Sequence, residues 1–586
     1  MTQTEWKPKG QCIIEILPEE ISDFEEQVQK FRDGEWNPND FMAFRLRQGV
    51  YGQRQPDAQM LRIKAPFGGL TADQLDALGV VAEKYAPLKK GHVTTRENFQ
   101  FHHIPIEFTP AIMRLIGDVG LSTREACGNT VRNVTGGAMA GVCANEPFDV
   151  TPYAAAYARY FVRHPFTQAM PRKIKSAISG CGSDCAITPI HDIGFLPKIQ
   201  NERKGFKMVV GGGTAIMPRI APTLYEFVPV EDFLKVTEAV IRVFHRTNEL
   251  RRNRMKARIK FYIDRVGIDH FRKEVEEEME NTWAQQSFDP KDLLFIDDEE
   301  KDAPDLTTSY KAYGDEPEFL KWLESNVESQ KQEGYKVITL KLALGDINAP
   351  QFHDLADISR RYAASRARIT QQQNLAFRWI PEKALYEVWE RLNKIGFGAA
   401  GAHEISDVVT CPGTDSCKLG ITASMGLGRA VSETLAEIDQ SDPLVRKMHV
   451  KMSGCPNGCG QHHIADIGFH GAAAKAPSGQ VPAYELFLGG SYEKDDPRFG
   501  ERVKTKVPAK RVPDALKRVI SDYDSNHDND ELFKDYVRRV GTDYYENMLS
   551  DFKEIPELSR ESLDQYIDWD KTVKYVLERG EGECAV

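Results

Sequence analysis

A chain of 586 residues is too long for one hydrophobic core and sets an expectation of three to four domains. Apolar content of 41% and charged content of 28% are those of an ordinary globular protein, and no apolar run is long enough to cross a membrane. A net charge of −11 argues against generic binding to nucleic acid or anionic membrane, while leaving room for a local basic patch. The opening MTQTEWKPKGQ has no apolar signal core, and the ten cysteines do not form a dense disulfide framework, so a reducing cytoplasm is the expected location.

Residues 1–50 carry acidic and aromatic residues in a helical rhythm (Glu25, Val28, Phe31) and read as an extension wrapping the core. From Met60 the pattern turns strand-like and reaches the Gly68-Gly69 turn. Thr71 then caps a helix with Leu75, Leu78, Val81 and Ala82 on one face. A second strand ends in Val93-Thr-Thr-Arg-Glu-Asn-Phe-Gln-Phe-His-His-Ile-Pro105, which completes half of a ferredoxin-like unit over 51–118. A first α/β domain is expected over 119–285 and a connection over 286–332, with its acidic run Asp297–Glu300.

The same text then returns. Ile369–Pro381 answers Val93–Pro105 at a displacement of 276 residues, and Val337–Lys341 answers Leu61–Lys64. Ser453-Gly-Cys-Pro-Asn-Gly-Cys459 answers Ser179-Gly-Cys-Gly-Ser-Asp-Cys185 at 274, and Phe487–Gly490 answers Val209–Gly212 at 278. Four blocks in one order at nearly one displacement mark a tandem duplication, too long in period for a solenoid. It predicts a second half-domain at 333–400 and a second α/β domain at 401–524, packed about a pseudo-twofold axis with a site between the halves. Residues 525–586 read as a helical, acidic extension outside the repeat.

Four cysteines of the second half arrive as two pairs wrapped in Pro and Gly, Cys411-x5-Cys417 and Cys455-x3-Cys459, 37 residues apart. Thiolates select zinc, Cu(I) or iron–sulfur clusters. The five-residue gap suits a structural zinc site poorly and a 4Fe–4S cubane well, with buried thiols of no ligand role as the remaining alternative.

With its order of C-x5-C followed by Gly-Cys-Pro-Asn-Gly-Cys, the chain resembles, over about residues 45–520, the siroheme-containing sulfite and nitrite reductases, the family of ferredoxin-dependent and hemoprotein-subunit enzymes. The resemblance implies an α+β fold of two ferredoxin-like half-domains and two siroheme/cluster domains. It implies a 4Fe–4S cluster on Cys411, Cys417, Cys455 and Cys459, with Cys459 bridging to siroheme. It also implies that Arg62, Arg132, Lys173 and Lys175 bind the substrate anion. Arg/Lys suits eight siroheme carboxylates and an oxyanion, although each alone also reads as an ordinary ion-paired side chain. Lys-x-Lys in extended chain puts both ammonium groups on one face. Nitrite-reducing relatives of plants and cyanobacteria tend to carry Asn at the second lysine, so Lys175 favours sulfite.

Arg96, together with Asn98, Gln100 and His102 at period two, is expected to meet the siroheme edge; a plain polar strand face is the alternative. Asn457 is expected to shape its turn beside the cofactor rather than to catalyse. The basic run Arg251–Lys260 would hold siroheme carboxylates, dock an acidic ferredoxin, or be a solvated helix face. Tyr51 and Cys127 match positions where some relatives place a tyrosine–cysteine pair, sometimes cross-linked. Cys127, Cys143, Cys181 and Cys185 lack a C-x5-C partner and read as buried thiols rather than a second cluster.

These readings predict a monomeric sulfite reductase using siroheme, a 4Fe–4S cluster and ferredoxin, with no nucleic-acid or membrane partner. No G-x-G-x-x-G follows a strand, so electrons come from another protein. The rivals are a ferredoxin–nitrite reductase and a non-catalytic iron–sulfur carrier or redox sensor.

Overall fold

The computed structural model describes residues 12–285 and 290–583, and its twenty strands form four five-stranded sheets. In the first half-domain, Val50–Gly52, Ala58–Lys64, Asn98–Pro105 and Lys90–Val93 pair antiparallel. The second half-domain repeats this order with Val327–Ser329, Tyr335–Leu340, Leu375–Pro381 and Arg366–Ile369.

Each sheet takes its fifth strand from the other half. Gly69–Thr71 of the first half pairs with Arg366–Arg368, and Asp346–Asn348 of the second pairs with Lys90–His92. The crossings follow equivalent tight turns at Phe67-Gly68 and Leu344-Gly345, where all four residues have positive φ. A Cβ on Gly68 would lie 2.4 Å from the Ile369 carbonyl oxygen, so glycine is needed where the two chains pass. Thr71 and Asn348 then start the helices Ala72–Lys84 and Ala349–Tyr362, each through a full capping box with Gln74 or Gln351. These two helices pack on each other, and both half-domains share one hydrophobic core running from Leu61 and Phe99 to Phe377 and Trp389. The two half-domains are thus laced into one unit.

The two α/β domains have separate cores. Each has a five-stranded sheet in which the first three strands run parallel and the last two antiparallel: 131–136, 174–178, 193–200, 203–210, 223–229, and 409–410, 450–453, 467–476, 479–488, 501–508.

Residues beyond 524 do not all lie outside the repeat. Phe533–Val540, Gly541 and Thr542–Met548 reproduce Ile259–Val266, Gly267 and Ile268–Met279, and Gly267 and Gly541 share a positive φ near 80° (82° and 78°). Lys-x-Tyr-x-x-Arg-Val-Gly-x-Asp occurs at 260–269 and again at 534–543. Residues 550–583 are the extension proper. They return to the seam between the halves, where buried Glu583 accepts from Arg45 and the Gly52 amide of the first half and from Lys418 of the second.

The connection between the halves is docked rather than solvated. Asp297 takes a two-pronged ion pair from Arg366, while buried Glu299 accepts from Arg368, Arg378 and Trp379 Nε1. At the amino end, Phe24, Val28 and Phe41 of the helices Pro18–Arg32 and Pro38–Arg47 enter the shared core. Residues 1–11 of the expected amino-terminal extension lie outside the described residues.

Candidate active site

Strands Val409–Thr410 and Val450–Ser453 run parallel, so both cysteine pairs emerge at the same end of one sheet. Loops beyond the carboxyl ends of parallel strands are where α/β sheets bind ligands. Cys411 and Cys417 flank a short turn at Gly413–Asp415, and Cys455 and Cys459 flank Pro456-Asn457-Gly458. Backbone crowds tightly here. A Cβ on Gly413 would lie 2.5 Å from Ser424 Oγ, and one on Gly454 would lie 2.6 Å from Gly413 Cα. The Gly454 amide donates to Cys411 Sγ at 3.2 Å.

Cys411, Cys417, Cys455 and Cys459 line one cleft with about 1950 Å³ of free space, part of it open to solvent. Burial, with the neighbouring Cys459, raises the thiol pKa of Cys411 to about 12 and raises that of Cys417 and Cys455 as well. Thiols that oppose one another's ionisation need a shared positive centre to become ligands. Among the described residues no three His, Cys, Asp or Glu side chains converge on one metal ion, so a single zinc does not fit. Four separated sulfurs around a glycine-lined space fit a cluster.

The opposite wall of the cleft comes from the first half. Tyr51, Arg62, Arg96, Asn98, Gln100, His102, Arg132, Lys173 and Lys175 all line it, as does Asn457 from the cysteine loop. Asn98, Gln100 and His102 share the inner face of one strand. With the Gln100 amide oxygen turned toward Arg62, it accepts from Nη2 at 2.6 Å and Nε at 3.0 Å. Burial depresses the His102 pKa to about 3 and keeps the imidazole neutral. Asn98 Oδ1 and His102 Nδ1 are buried without a partner, as expected of polar atoms awaiting a ligand.

The basic residues divide into two groups. Arg96 donates to the carbonyls of Asn133 and Ser176, and burial lowers its pKa to about 10; its bonds hold the two first-half sheets together. Arg132 donates to the Ala126 and Gly128 carbonyls. Lys173 and Lys175 sit half-buried on either side of buried Ile174. Burial, then Arg258 and Arg96, pushes the Lys175 ammonium well below its ordinary pKa.

From the basic run, Arg254, Arg258 and Lys260 reach the cleft, whereas Arg251 is exposed and bonds to the Ala169 carbonyl. Arg258 pairs with Asp192 at 2.7 Å and keeps Nη2 buried without a partner, while Lys260 ties down the loop carbonyls of Thr214 and Met217. His92 also lines the cleft, with Nδ1 held 3.0 Å from Asp346 on the strand lent by the second half. Arg54 braces the cysteine loop through the Gly420 carbonyl at 2.7 Å. Arg54, His92 and Arg258 were not singled out from sequence. For Arg258 the signal lay in the basic run, whereas Arg54 and His92 have no local motif.

Tyr51 and Cys127 pack into one small apolar cluster with Leu46 and Met60, and Arg62 Nη1 lies 3.5 Å from Cys127 Sγ. That separates Cys127 from Cys143, Cys181 and Cys185, so these four do not form one ligand set.

The pseudo-symmetric mate of this cleft is filled. Thr339 and Ala376 replace Arg62 and Gln100, and Trp379 packs there with Val142, Val337 and Ala364. Arg378, in the position equivalent to His102, is neutralised by Glu299.

A cluster-ready cysteine cage facing a basic wall across a duplicated fold defines a class of cofactor-bearing oxidoreductase. The ferredoxin-like half-domain of nitrite and sulfite reductases matches residues 51–119 and 328–395, and the nitrite and sulphite reductase 4Fe-4S domain matches 127–282 and 401–554. The chain belongs to this nitrite/sulfite reductase family, whose cofactors are a 4Fe–4S cluster and siroheme.

The chain is 28% identical over 513 residues to a ferredoxin–nitrite reductase of Synechococcus elongatus, covering 84% of this chain and 93% of the other. It is 29% identical over 492 residues to a ferredoxin sulfite reductase of Mycolicibacterium paratuberculosis, covering 83% and 82%. The Mycobacterium tuberculosis NirA protein superposes with a TM-score of 0.76 at 26% identity, over 90% of this chain and 95% of that one. No helix among the described residues is long and apolar enough to cross a membrane.

Proposed function

We propose that the protein reduces sulfite to sulfide in a six-electron reaction, taking electrons from ferredoxin. The carrying observation is Lys175, a second ammonium beside Lys173 in a cleft already lined by Arg62, Arg132 and Arg258. A dianion gains more than a monoanion from that added positive charge. The relatives include both nitrite and sulfite reductases, so family membership alone does not choose.

In this reading Cys411, Cys417, Cys455 and Cys459 would hold the cluster, and Cys459 would serve the siroheme as well. Asn98, Gln100, His102 and Asn457 border the ring. When bound, the coupled cofactors supply stepwise electron delivery and an iron site for the anion.

The chain's own residues position and protonate. Arg62 is set by Gln100 and the Ala126 carbonyl, so its guanidinium is oriented before substrate arrives. Lys173 and Lys175 neutralise the anion's oxygens, and Lys175, with its depressed pKa, gives up a proton readily as an oxygen leaves. Arg258, paired with Asp192, borders the same cleft. A carrier that only held a cluster would have no use for this wall.

Steady-state rates with sulfite and nitrite, with reduced ferredoxin as donor, test the reading. A higher kcat/KM for sulfite supports it; a tenfold or greater preference for nitrite overturns it. Absence of a Soret band from the purified protein overturns the reductase reading altogether.

A further inference from the structure

The first repeat keeps a cluster of thiols that the proposed reaction does not use. Cys181 and Cys185 occupy, 274 residues earlier, the positions of Cys455 and Cys459. They flank a turn closed by the Asp184 amide donating to the Cys181 carbonyl, with Asp184 at a φ of 59°. Their sulfurs lie 3.9 Å apart, and Ser183 Oγ lies 2.9 Å from Cys181 Sγ. Cys143 stands beside Cys181 within hydrogen-bonding reach. Cys181 is buried, whereas solvent reaches Cys185. Cys185 is therefore the more accessible residue of the pair.

A metal is the weaker assignment. Among the described residues no three ligating side chains converge on one ion, and Cys127, the remaining cysteine of 119–285, lies in another cluster. A disulfide needs the two sulfurs to close from 3.9 Å to about 2.05 Å, a movement of under about 2 Å. The pair shares its proton, with the Cys181 thiol shifted down and the Cys185 thiol shifted up by their mutual hydrogen bond.

We propose that Cys181 and Cys185 are a redox-active dithiol, oxidised to an intramolecular disulfide by a low-molecular-weight disulfide of the glutathione class. Cys185 attacks one sulfur of the small disulfide, its proton passes to Cys181, and one thiolate leaves. Cys181 then gives up that proton and attacks Cys185 in the mixed disulfide, and the second small thiolate leaves. The one proton the pair shares goes to one leaving thiolate, and solvent supplies the proton of the other. The protein dithiol loses two electrons and the small disulfide is reduced to two thiols.

The state of the pair is felt at a domain junction. The same loop packs through Ile187 and Ile190 against Ile464 of the cluster-bearing domain, and Ala186 O accepts from Gln371 Nε2 at 2.6 Å.

The test uses the wild-type holoprotein, equilibrated over a series of oxidised-to-reduced glutathione ratios. Free thiols are then blocked with iodoacetamide and the protein is digested with trypsin. Cys181 and Cys185 share the peptide 176–198, and Cys143 falls on 133–159. The expected result is conversion of 176–198 from a doubly alkylated form to an unalkylated form lighter by two hydrogens. Dithiothreitol reverses it, and the visible spectrum shows the chromophores intact throughout. Cys143→Ala should convert in the same way. Persistence of two alkylated cysteines at the most oxidising ratio overturns the proposal, as does a cross-link joining 176–198 to 133–159 in place of the internal one. Neither readout depends on which anion the enzyme reduces.

Discussion

Glu299 carries the most quantitative consequence of the structure. It leaves the connection between the halves to neutralise Arg368 and Arg378, and the three side chains are 7%, 5% and 2% exposed. Burial alone would raise the carboxyl pKa, but Arg378 and Arg368 outweigh it and hold the group below its ordinary range. Replacing Glu299 with Ala leaves two adjacent buried guanidinium groups unpaired. Breaking a buried ion pair by removing one partner costs about 3–5 kcal/mol.

If that cost falls on local opening of the segment 290–316, cleavage there by a non-specific protease should rise roughly 10²- to 10⁴-fold under conditions where opening is fast. Triple replacement by Leu at 299 and 368 and Met at 378 should recover most of the loss, because no buried charge then remains. Since the folded-state pKa of Glu299 is depressed, its contribution is full above the unfolded carboxylate range and is lost as pH falls through the folded value. The gap between wild type and Glu299→Gln should therefore begin to narrow as pH falls below about 4. A cleavage rate in Glu299→Ala within threefold of wild type at neutral pH would refute this account of the junction.

Three further outcomes are expected. Lys175→Met should raise the sulfite KM by roughly 10- to 100-fold, the scale of one lost charge-assisted contact. Gly413→Ala places a methyl 2.5 Å from Ser424 Oγ and the Thr422 carbonyl at a φ of 53°, so iron per chain should drop by more than half by elemental analysis, against an unchanged Gly34→Ala control. Arg54→Ala removes the donor to the Gly420 and Glu578 carbonyls, and iron release to a chelator should quicken about tenfold.

Much of this molecule was legible because the duplication preserved short, chemically constrained blocks. The cysteine loops, the Thr71 cap and the period-two strand Asn98–His102 each carry their own local signal. The exchanged strands did not, since Gly69–Thr71 and Asp346–Asn348 are three residues long, too short for any periodicity. The end of the second repeat was readable in the block Lys534–Asp543 but was masked by its acidic, helical surroundings. Glu299 reads only as part of a connecting acidic run because nothing in a linear chain announces two arginines nearly seventy and eighty residues away. Likewise Arg96 and Arg132 look like anion ligands in sequence, yet the structure gives much of their donor capacity to backbone carbonyls.

The reciprocal loan of strands bears on how such a chain could evolve. Cut between its halves, the polypeptide would give two pieces each missing a margin of its own sheet, with Lys90–His92 and Arg366–Arg368 exposed as raw edges that only the other piece can cover. Neither copy is dispensable, even though just one of the two pseudo-equivalent hollows is open to a ligand. Asp346, on a borrowed strand, props His92 in that open hollow, so the copy that lost most of the basic wall still helps build it.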